Sequence, residues 1–171
     1  MAEGPAHAPP VGPSGFVGRV IEGWALLGGV VLLFIALMTT WSAFTGWVFS
    51  KPLPGDFELT EVLVAISVFS MLPYCQQTDA NVTADIFTAG AGPRAVAGFR
   101  LFSQLVSLGV AAVLTWRVWA GMLDYRQFVE TTAILKIPIW WAYVPAVASL
   151  VLLCIACLIV LRRCVQALPR Y

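Results

Sequence analysis

Cysteines are the residues of this sequence with the clearest potential for chemistry, and three of the four lie close together near the C-terminus. A C-x-x-C pair such as Cys154 and Cys157 supports thiol–disulfide exchange where a thiolate can form and a partner can reach it. The connecting segments 49–56 and 121–137, which would expose such a pair, contain no cysteine. Cys154, Cys157 and Cys164 share one helical face, which favours an apolar packing stripe. Palmitoylation near Cys164 and metal binding are the alternatives.

The other side chains exclude several kinds of catalytic site. The single histidine, His7, lies in a proline-rich tail, which excludes a haem held by two histidines. Serine and threonine have no histidine base, and the sequence has no glycine-rich phosphate loop and no zinc-ligand cluster. We therefore expect a protein that is not an enzyme and that holds no cofactor or metal ion.

Two ionisable residues, Glu61 and Arg117, lie inside long apolar stretches, at similar distances from the outer ends of those stretches. Each could extend to the lipid headgroups, or the two could form an ion pair. A role in transport or proton relay is the third interpretation. A relay would need a chain of ionisable groups at membrane depth, and these two residues supply little of one.

Four apolar stretches must position these residues, and each is long enough to cross a bilayer, which takes about 20 residues. The stretches run over residues 24–48, 57–74, 97–120 and 138–161. The sequence is 60% hydrophobic and 11% charged, whereas soluble domains carry about 25% charged residues. The fold class predicted is therefore an all-α integral membrane protein with four transmembrane helices.

The chain divides into three segments on this reading. Residues 1–15 form a disordered tail, residues 16–164 the transmembrane domain, and residues 165–171 a short cytoplasmic end. The first stretch is too long for the apolar region of a signal peptide, so we expect it to stay in the mature protein. Six of the ten basic residues, including the pair Arg162 and Arg163, fall on the side of the termini. This distribution predicts that both termini are cytoplasmic.

The connections carry the signals that start and stop helices. Asp56 and Glu58 complement the dipole at the start of the second helix, and Pro138 suits the first turn of the fourth. The inner connection 76–96 is either a short interfacial helix or a surface loop. The pair Gly28 and Gly29 indicates close helix packing rather than a ligand site.

Aromatic residues gather at the outer end of the fourth stretch, where Trp140, Trp141 and Tyr143 form a belt suited to the membrane interface. Anchoring in lipid and docking against another membrane subunit are both open interpretations of this belt.

Two groups of motifs resemble the small, DctQ-type membrane subunit of tripartite ATP-independent periplasmic (TRAP) transporters. The first comprises Gly55-Asp-Phe-Glu58, Glu61, Leu72-Pro73 and Asn81-Val-Thr-Ala-Asp85, and the second comprises Glu130-Thr131, Ile137-Pro-Ile-Trp-Trp141, Tyr143 and Pro145. The resemblance covers roughly residues 19 to 162, in matching order and spacing. One departure is the run Gln76 to Thr78, where many members carry a basic residue; Arg94 and Arg100 could substitute.

The resemblance implies a transporter with three parts in the bacterial inner membrane and periplasm. A periplasmic solute-binding protein captures a solute, such as an organic acid, and a large membrane subunit carries it inward by an elevator movement driven by a sodium gradient. The small subunit, to which this chain is similar, would scaffold the stationary part among membrane phospholipids. No nucleic-acid partner is expected, because the net charge is +1 and the basic residues form no patch.

We expect nine residues to form structural ion pairs or the interface with the partner or with lipid. They are Glu58, Glu61, Asp85, Arg100, Arg117, Glu130, Trp140, Trp141 and Tyr143. Two other functions remain as alternatives. A thiol:quinone oxidoreductase with four spans would depend on the cysteines, and a small transporter that works alone as an oligomer would need polar residues at mid-membrane depth.

Overall fold

The structure is a computed structural model that describes residues 15–51, 53–78 and 93–167. The tail predicted over residues 1–15 falls almost wholly outside this part of the chain, as does segment 79–92, where a short interfacial helix was one interpretation.

Four α-helices make up nearly all of the described chain, and within it no strand occurs. In chain order they are α1 (Phe16–Phe49), α2 (Asp56–Gln77), α3 (Pro93–Phe128) and α4 (Trp140–Ala167). All four are long and apolar enough to cross a membrane. The prediction of an all-α protein with four helices of this kind is confirmed.

Left-handed backbone conformations mark the turn between α1 and α2. Ser50, with a φ of 52°, ends α1, and Gly55, with a φ of 80°, precedes α2. Glycine adopts such a conformation without the steric cost that a Cβ would bring. Asp56 and Glu58 then occupy the first turn of α2, where negative charge complements the helix dipole.

The helices pack in the spatial order α1, α2, α4, α3. α4 therefore lies between α2 and α3, and it supplies most of the fully buried apolar side chains, including Leu150, Ala156 and Cys157. Within the most apolar 18 residues of each helix, 44% are buried in α4 and only 6% in α3. The core thus follows α4, while α3 lies along one edge of the bundle.

α3 is longer than its apolar stretch indicates. It continues to Phe128, into segment 121–137, which was predicted to be a loop connecting two spans. No glycine or proline occurs from 122 to 137 to stop the helix, and Tyr125 stacks against Tyr143 of α4 at a centroid distance of 5.2 Å. The apolar stretch ends earlier, whereas the helix ends at Phe128, just before Val129, which has a φ of 50°.

Residues 129–139 form a compact connection at the end of the bundle opposite the start of α1 and the end of α4, and we call it the outer hairpin. Thr131 and Pro138 make an isolated antiparallel bridge, and Thr132 donates its backbone N–H to the Ile137 carbonyl at 3.0 Å. Pro138 lies just before α4 rather than inside its first turn. Its carbonyl accepts the Trp141 backbone N–H at 3.1 Å, so the proline still starts the turn that leads into the helix.

Candidate functional site

Glu58 joins the start of α2 to the outer hairpin. Its carboxylate accepts the backbone N–H of Ile134 at 2.8 Å and that of Leu135 at 3.0 Å. Hydrogen bonds to a charged acceptor are stronger than those between neutral groups. Glu58 therefore fixes the position of the hairpin through backbone bonds and not through an ion pair.

Gly55 allows this connection because Leu135 occupies the space where a side chain would lie. A Cβ at Gly55 would come within 2.6 Å of the Leu135 Cγ atom. Next to it, Ser42 of α1 donates its hydroxyl to the Asp56 carboxylate at 2.5 Å and accepts the Leu53 backbone N–H at 3.3 Å. Ser42 thus joins α1 to the start of α2, and Glu58 joins the start of α2 to the outer hairpin.

The predicted aromatic belt is placed at the start of α4. The rings of Trp140 and Trp141 meet edge to face at 6.0 Å, and the Arg126 guanidinium lies 6.0 Å from the Trp140 ring. Trp141 is 59% exposed, while Tyr143 turns inward to pack on Tyr125. Trp141 is therefore the member of the belt most available to lipid or to another subunit.

Glu61 and Arg117 both lie on exposed positions of their helices, and the structure does not bring them together. Within the described residues neither forms an ion pair. The physical reason is the packing order, because α4 separates α2 from α3 over most of their length. Each side chain faces outward instead, away from the bundle.

Glu130, Asp85 and Arg100 are the remaining members of the predicted set. Glu130 is exposed on the outer hairpin, where its backbone carbonyl accepts the Ile139 N–H at 3.1 Å. Asp85 and the side chain of Arg100 lie outside the described part of the chain. The structure thus gathers Glu58, Glu130 and Trp140 at the outer end and leaves Glu61 and Arg117 on separate faces.

Gly28 lies at a close approach of α1 to α2. A Cβ at this position would lie 2.9 Å from the Ser70 Cβ and 3.1 Å from the Ser67 carbonyl oxygen. Gly29 is less restricted, since its nearest neighbour, the Met71 methyl carbon, is 3.8 Å from the corresponding position. The packing role expected for the glycine pair is confirmed, and Gly28 carries most of it.

A tryptophan and a serine join α1 to α4 within the membrane-spanning part. The Trp24 indole donates to the Ser149 hydroxyl at 2.8 Å, and that hydroxyl donates to the Pro145 carbonyl at 2.7 Å. Buried polar groups need such partners in an apolar medium.

Glutamines form a second network at the opposite end of the bundle. The Gln76 side-chain amide donates to the Gln104 side-chain carbonyl at 2.7 Å, and the Ser107 hydroxyl donates to Gln76 at 3.3 Å. Gln76 and Gln77 are buried, and among the described residues the Gln77 side-chain oxygen has no hydrogen-bond partner. These bonds connect α2 to α3 where the two helices are otherwise separated.

Two cysteines of α4 pack against α3. The Cys157 sulfur is fully buried and lies 3.6 Å from the Ser107 hydroxyl, and the Cys154 sulfur lies 3.5 Å from the Thr115 hydroxyl. These contacts agree with the packing stripe expected from their spacing. In the part of the chain that the structure describes, no group of histidine, cysteine or acidic side chains could hold a metal ion.

Sequence reasoning missed several residues of these networks. Ser42, Gln104 and Ser149 are common polar residues in apolar stretches, and no spacing rule pairs them with partners on other helices. The double glycine and the cysteine spacing were the patterns that indicated packing contacts in advance.

In the comparison with protein families, the chain matches the model described as Tripartite ATP-independent periplasmic transporters, DctQ component, over residues 22–167. The comparisons with curated proteins and with solved structures gave no match. The matched range includes nearly all of the four helices, both polar networks and the outer hairpin.

Proposed function

The chain belongs to the DctQ component family of TRAP transporters, and from this membership we propose that it scaffolds the large membrane subunit of a sodium-coupled solute transporter. As a DctQ component it is a multi-pass small membrane subunit, whose partners in general are a large membrane subunit and a periplasmic binding protein. The bacterial inner membrane, cytoplasmic termini and an organic acid as the solute are parts of the proposal.

The internal hydrogen bonding of the helices supports a structural role. The buried hydroxyls of Ser67 and Ser70 each donate to a backbone carbonyl one turn earlier, and Gln76 bonds to Gln104. The serine hydroxyls are thus satisfied within α2, the Gln76 amide joins α2 to α3, and these polar groups are not directed into a common cavity. We therefore assign solute recognition to the other two components and not to this chain.

Given the family, the observation that most supports the scaffold proposal is the exposed apolar surface of α3. α3 buries almost none of its most apolar residues within the chain. Phe102, Val113 and Trp116 of this helix are all more than half exposed. A bundle whose edge helix is so little covered offers a long wall against which a larger membrane protein can pack.

We propose that the nine predicted residues act on the exposed faces of the bundle and at its two ends. Trp140, Trp141 and Tyr143 would anchor the outer end in phospholipid or against the large subunit, and Glu58 would hold the outer hairpin in place for a partner. Asp85, Arg100, Arg117 and Glu130 remain candidates for contacts with headgroups or with the other components.

Co-purification and uptake together test the proposal. The tagged chain, extracted from its native membrane in mild detergent, should retain one large polytopic membrane protein near equal stoichiometry. Cells that lack the chain should lose sodium-dependent uptake, and a plasmid copy should restore it. Recovery of the chain alone, with uptake unchanged in its absence, would contradict the proposal.

A cysteine-free variant separates this function from the redox alternative. Replacing Cys75, Cys154, Cys157 and Cys164 with alanine should leave uptake intact, because Cys157 is a buried packing residue and no cysteine occurs in the described outer connections. Loss of function in a variant that is still inserted and folded would favour a thiol:quinone oxidoreductase. Uptake by the chain reconstituted alone would instead favour an independent small transporter.

A further inference from the structure

One face of α2 remains uncovered by the other helices. Phe57, Glu61, Val64, Ala65 and Val68 recur every three or four residues, which places them on one side of the helix. Phe57 is 87% exposed and Val68 is 52% exposed. We call this surface the Glu61 face, because a single carboxylate lies among its apolar side chains.

Glu61 is unusually placed for a charged residue on a spanning helix. It lies five residues after Asp56, where α2 begins, or about 7.5 Å along the helix axis. Within the described chain no cation pairs with it. A carboxylate is costly in apolar surroundings unless a partner compensates its charge, and ionisable residues in spans therefore indicate functional contacts.

Arg117 differs from Glu61 in the length of its side chain. Arginine can bury its methylene groups along apolar surface and reach the headgroups with its guanidinium. Trp116 and Trp119 beside it are exposed and are suited to the membrane interface. Contact with lipid headgroups therefore explains the exposed position of Arg117, whereas the side chain of Glu61 is shorter and reaches much less far towards the headgroups.

The distribution of apolar residues among the helices gives a second, independent argument. α2 and α3 are the two least apolar spans, and α4 is the most apolar. In lipid alone, the least apolar spans should be the most covered. The observed burial differs: α4 is the most buried of the four, α3 is the least buried, and α2 is no more buried than the more apolar α1. This pattern indicates that another protein covers part of α2 and α3.

We propose that the Glu61 face is the surface that receives a transmembrane helix of the large subunit, and that this helix places a basic side chain against the Glu61 carboxylate. The inference rests on the proposed function, which supplies the partner. Ala65 allows a close approach at the centre of the face. The carboxylate would then select the register of the two helices, as single polar residues do in packed helices.

Charge substitution at Glu61 tests the contact. Glu61→Gln removes the charge at nearly constant volume and should lower recovery of the large subunit about tenfold in a mild-detergent pull-down. Glu61→Lys should lower it further, because two like charges would meet. Glu22→Gln is the matched control, since Glu22 is exposed on α1 at a similar distance from the start of its helix. Wild-type recovery with both Glu61 variants would overturn the proposal.

Photo-crosslinking locates the contact without relying on affinity. A photoreactive phenylalanine analogue at Val64 or Val68 should form a covalent product with the large subunit in the membrane. The same analogue at Leu33, which is 63% exposed on α1, should give less of that product. If the wild-type chain retains the large subunit but neither α2 position crosslinks to it, the Glu61 face is wrong while the proposed function stands. If the wild-type chain retains no large subunit, the proposed function itself fails.

Discussion

At the scale of single residues, Gly28 sets the distance between α1 and α2. The Ser70 Cβ and the Ser67 carbonyl lie where any side chain at this position would have to fit. Ser67 and Ser70 are buried, and their hydroxyls donate hydrogen bonds to carbonyls of their own helix. The side chains that α2 places against Gly28 are therefore small and need no hydrogen-bond partner from α1. In a membrane the hydrophobic effect does not drive helices together, and small residues on both helices allow the close van der Waals packing that does.

Gly28→Ala should therefore destabilise the bundle, whereas Gly29→Ala should not. Both changes raise helix propensity equally, so the difference between them isolates the contact with Ser70. We expect Gly28→Ala to lower the free energy of unfolding by about 1–3 kcal/mol relative to Gly29→Ala, as in other overpacked sites. Unfolding of the purified protein by titration with SDS in mixed micelles, followed by circular dichroism, measures this difference. Equal stabilities would show that α1 can move away from α2 at no cost.

At the scale of elements, the outer hairpin owes its position to a helix that precedes it by many residues. Glu58, in the first turn of α2, accepts two backbone N–H groups of the hairpin, and Gly55 leaves room for Leu135. Few apolar side chains of the hairpin are buried, and Val129 and Ile134 are largely exposed. Its order therefore depends on backbone hydrogen bonds and on this one carboxylate.

Glu58→Ala should release the hairpin without unfolding the helices. The amides of Ile134 and Leu135 lose their acceptor, so we expect their hydrogen exchange to become about tenfold faster or more. Hydrogen–deuterium exchange with mass spectrometry over residues 129–139 measures the change. Glu130→Ala is the control, because its exposed side chain is not the acceptor of these amides. Unchanged exchange in Glu58→Ala would mean that other contacts hold the hairpin.

At the scale of the whole molecule, the packing order decides which surfaces are available. α4 is the last helix in sequence and yet lies between α2 and α3, so the second and third helices each keep an uncovered face. The two polar networks connect the helices at opposite ends of the bundle. A bundle joined at both ends but open along its sides suits a stationary part that supports a moving neighbour.

The orientation of this bundle in the membrane is open to direct measurement. In the cysteine-free variant, Ala133→Cys introduces a thiol on the exposed outer hairpin and Gln166→Cys introduces one on the exposed end of α4. If both termini are cytoplasmic, a maleimide that cannot cross membranes should label Ala133→Cys in intact spheroplasts and Gln166→Cys only after permeabilisation. The opposite pattern would place both termini outside.

The sequence by itself determined the features that depend on composition and on short spacings. Four apolar stretches in a chain with 11% charged residues specify four spanning helices, because the bilayer fixes both the length and the polarity that a span needs. Ordered motifs from Gly55 to Pro145 indicated the family, which the match over residues 22–167 confirms. The pair Gly28-Gly29 and the spacing of the cysteines likewise indicated packing contacts. Each pattern lies within one or two turns of a single helix, so it can be recognised without knowing the neighbouring helices.

Only the tertiary structure decided which helices are neighbours and which polar groups meet. Glu61 and Arg117 lie at similar distances from the outer ends of their apolar stretches, but α4 lies between their helices, and hydropathy carries no signal for that order. The bonds of Ser42 to Asp56 and of Gln76 to Gln104 depend in the same way on the rotation of each helix about its axis. In lipid nearly every side of a span can be apolar, so periodicity cannot reveal the inward face, and packing between helices sets it.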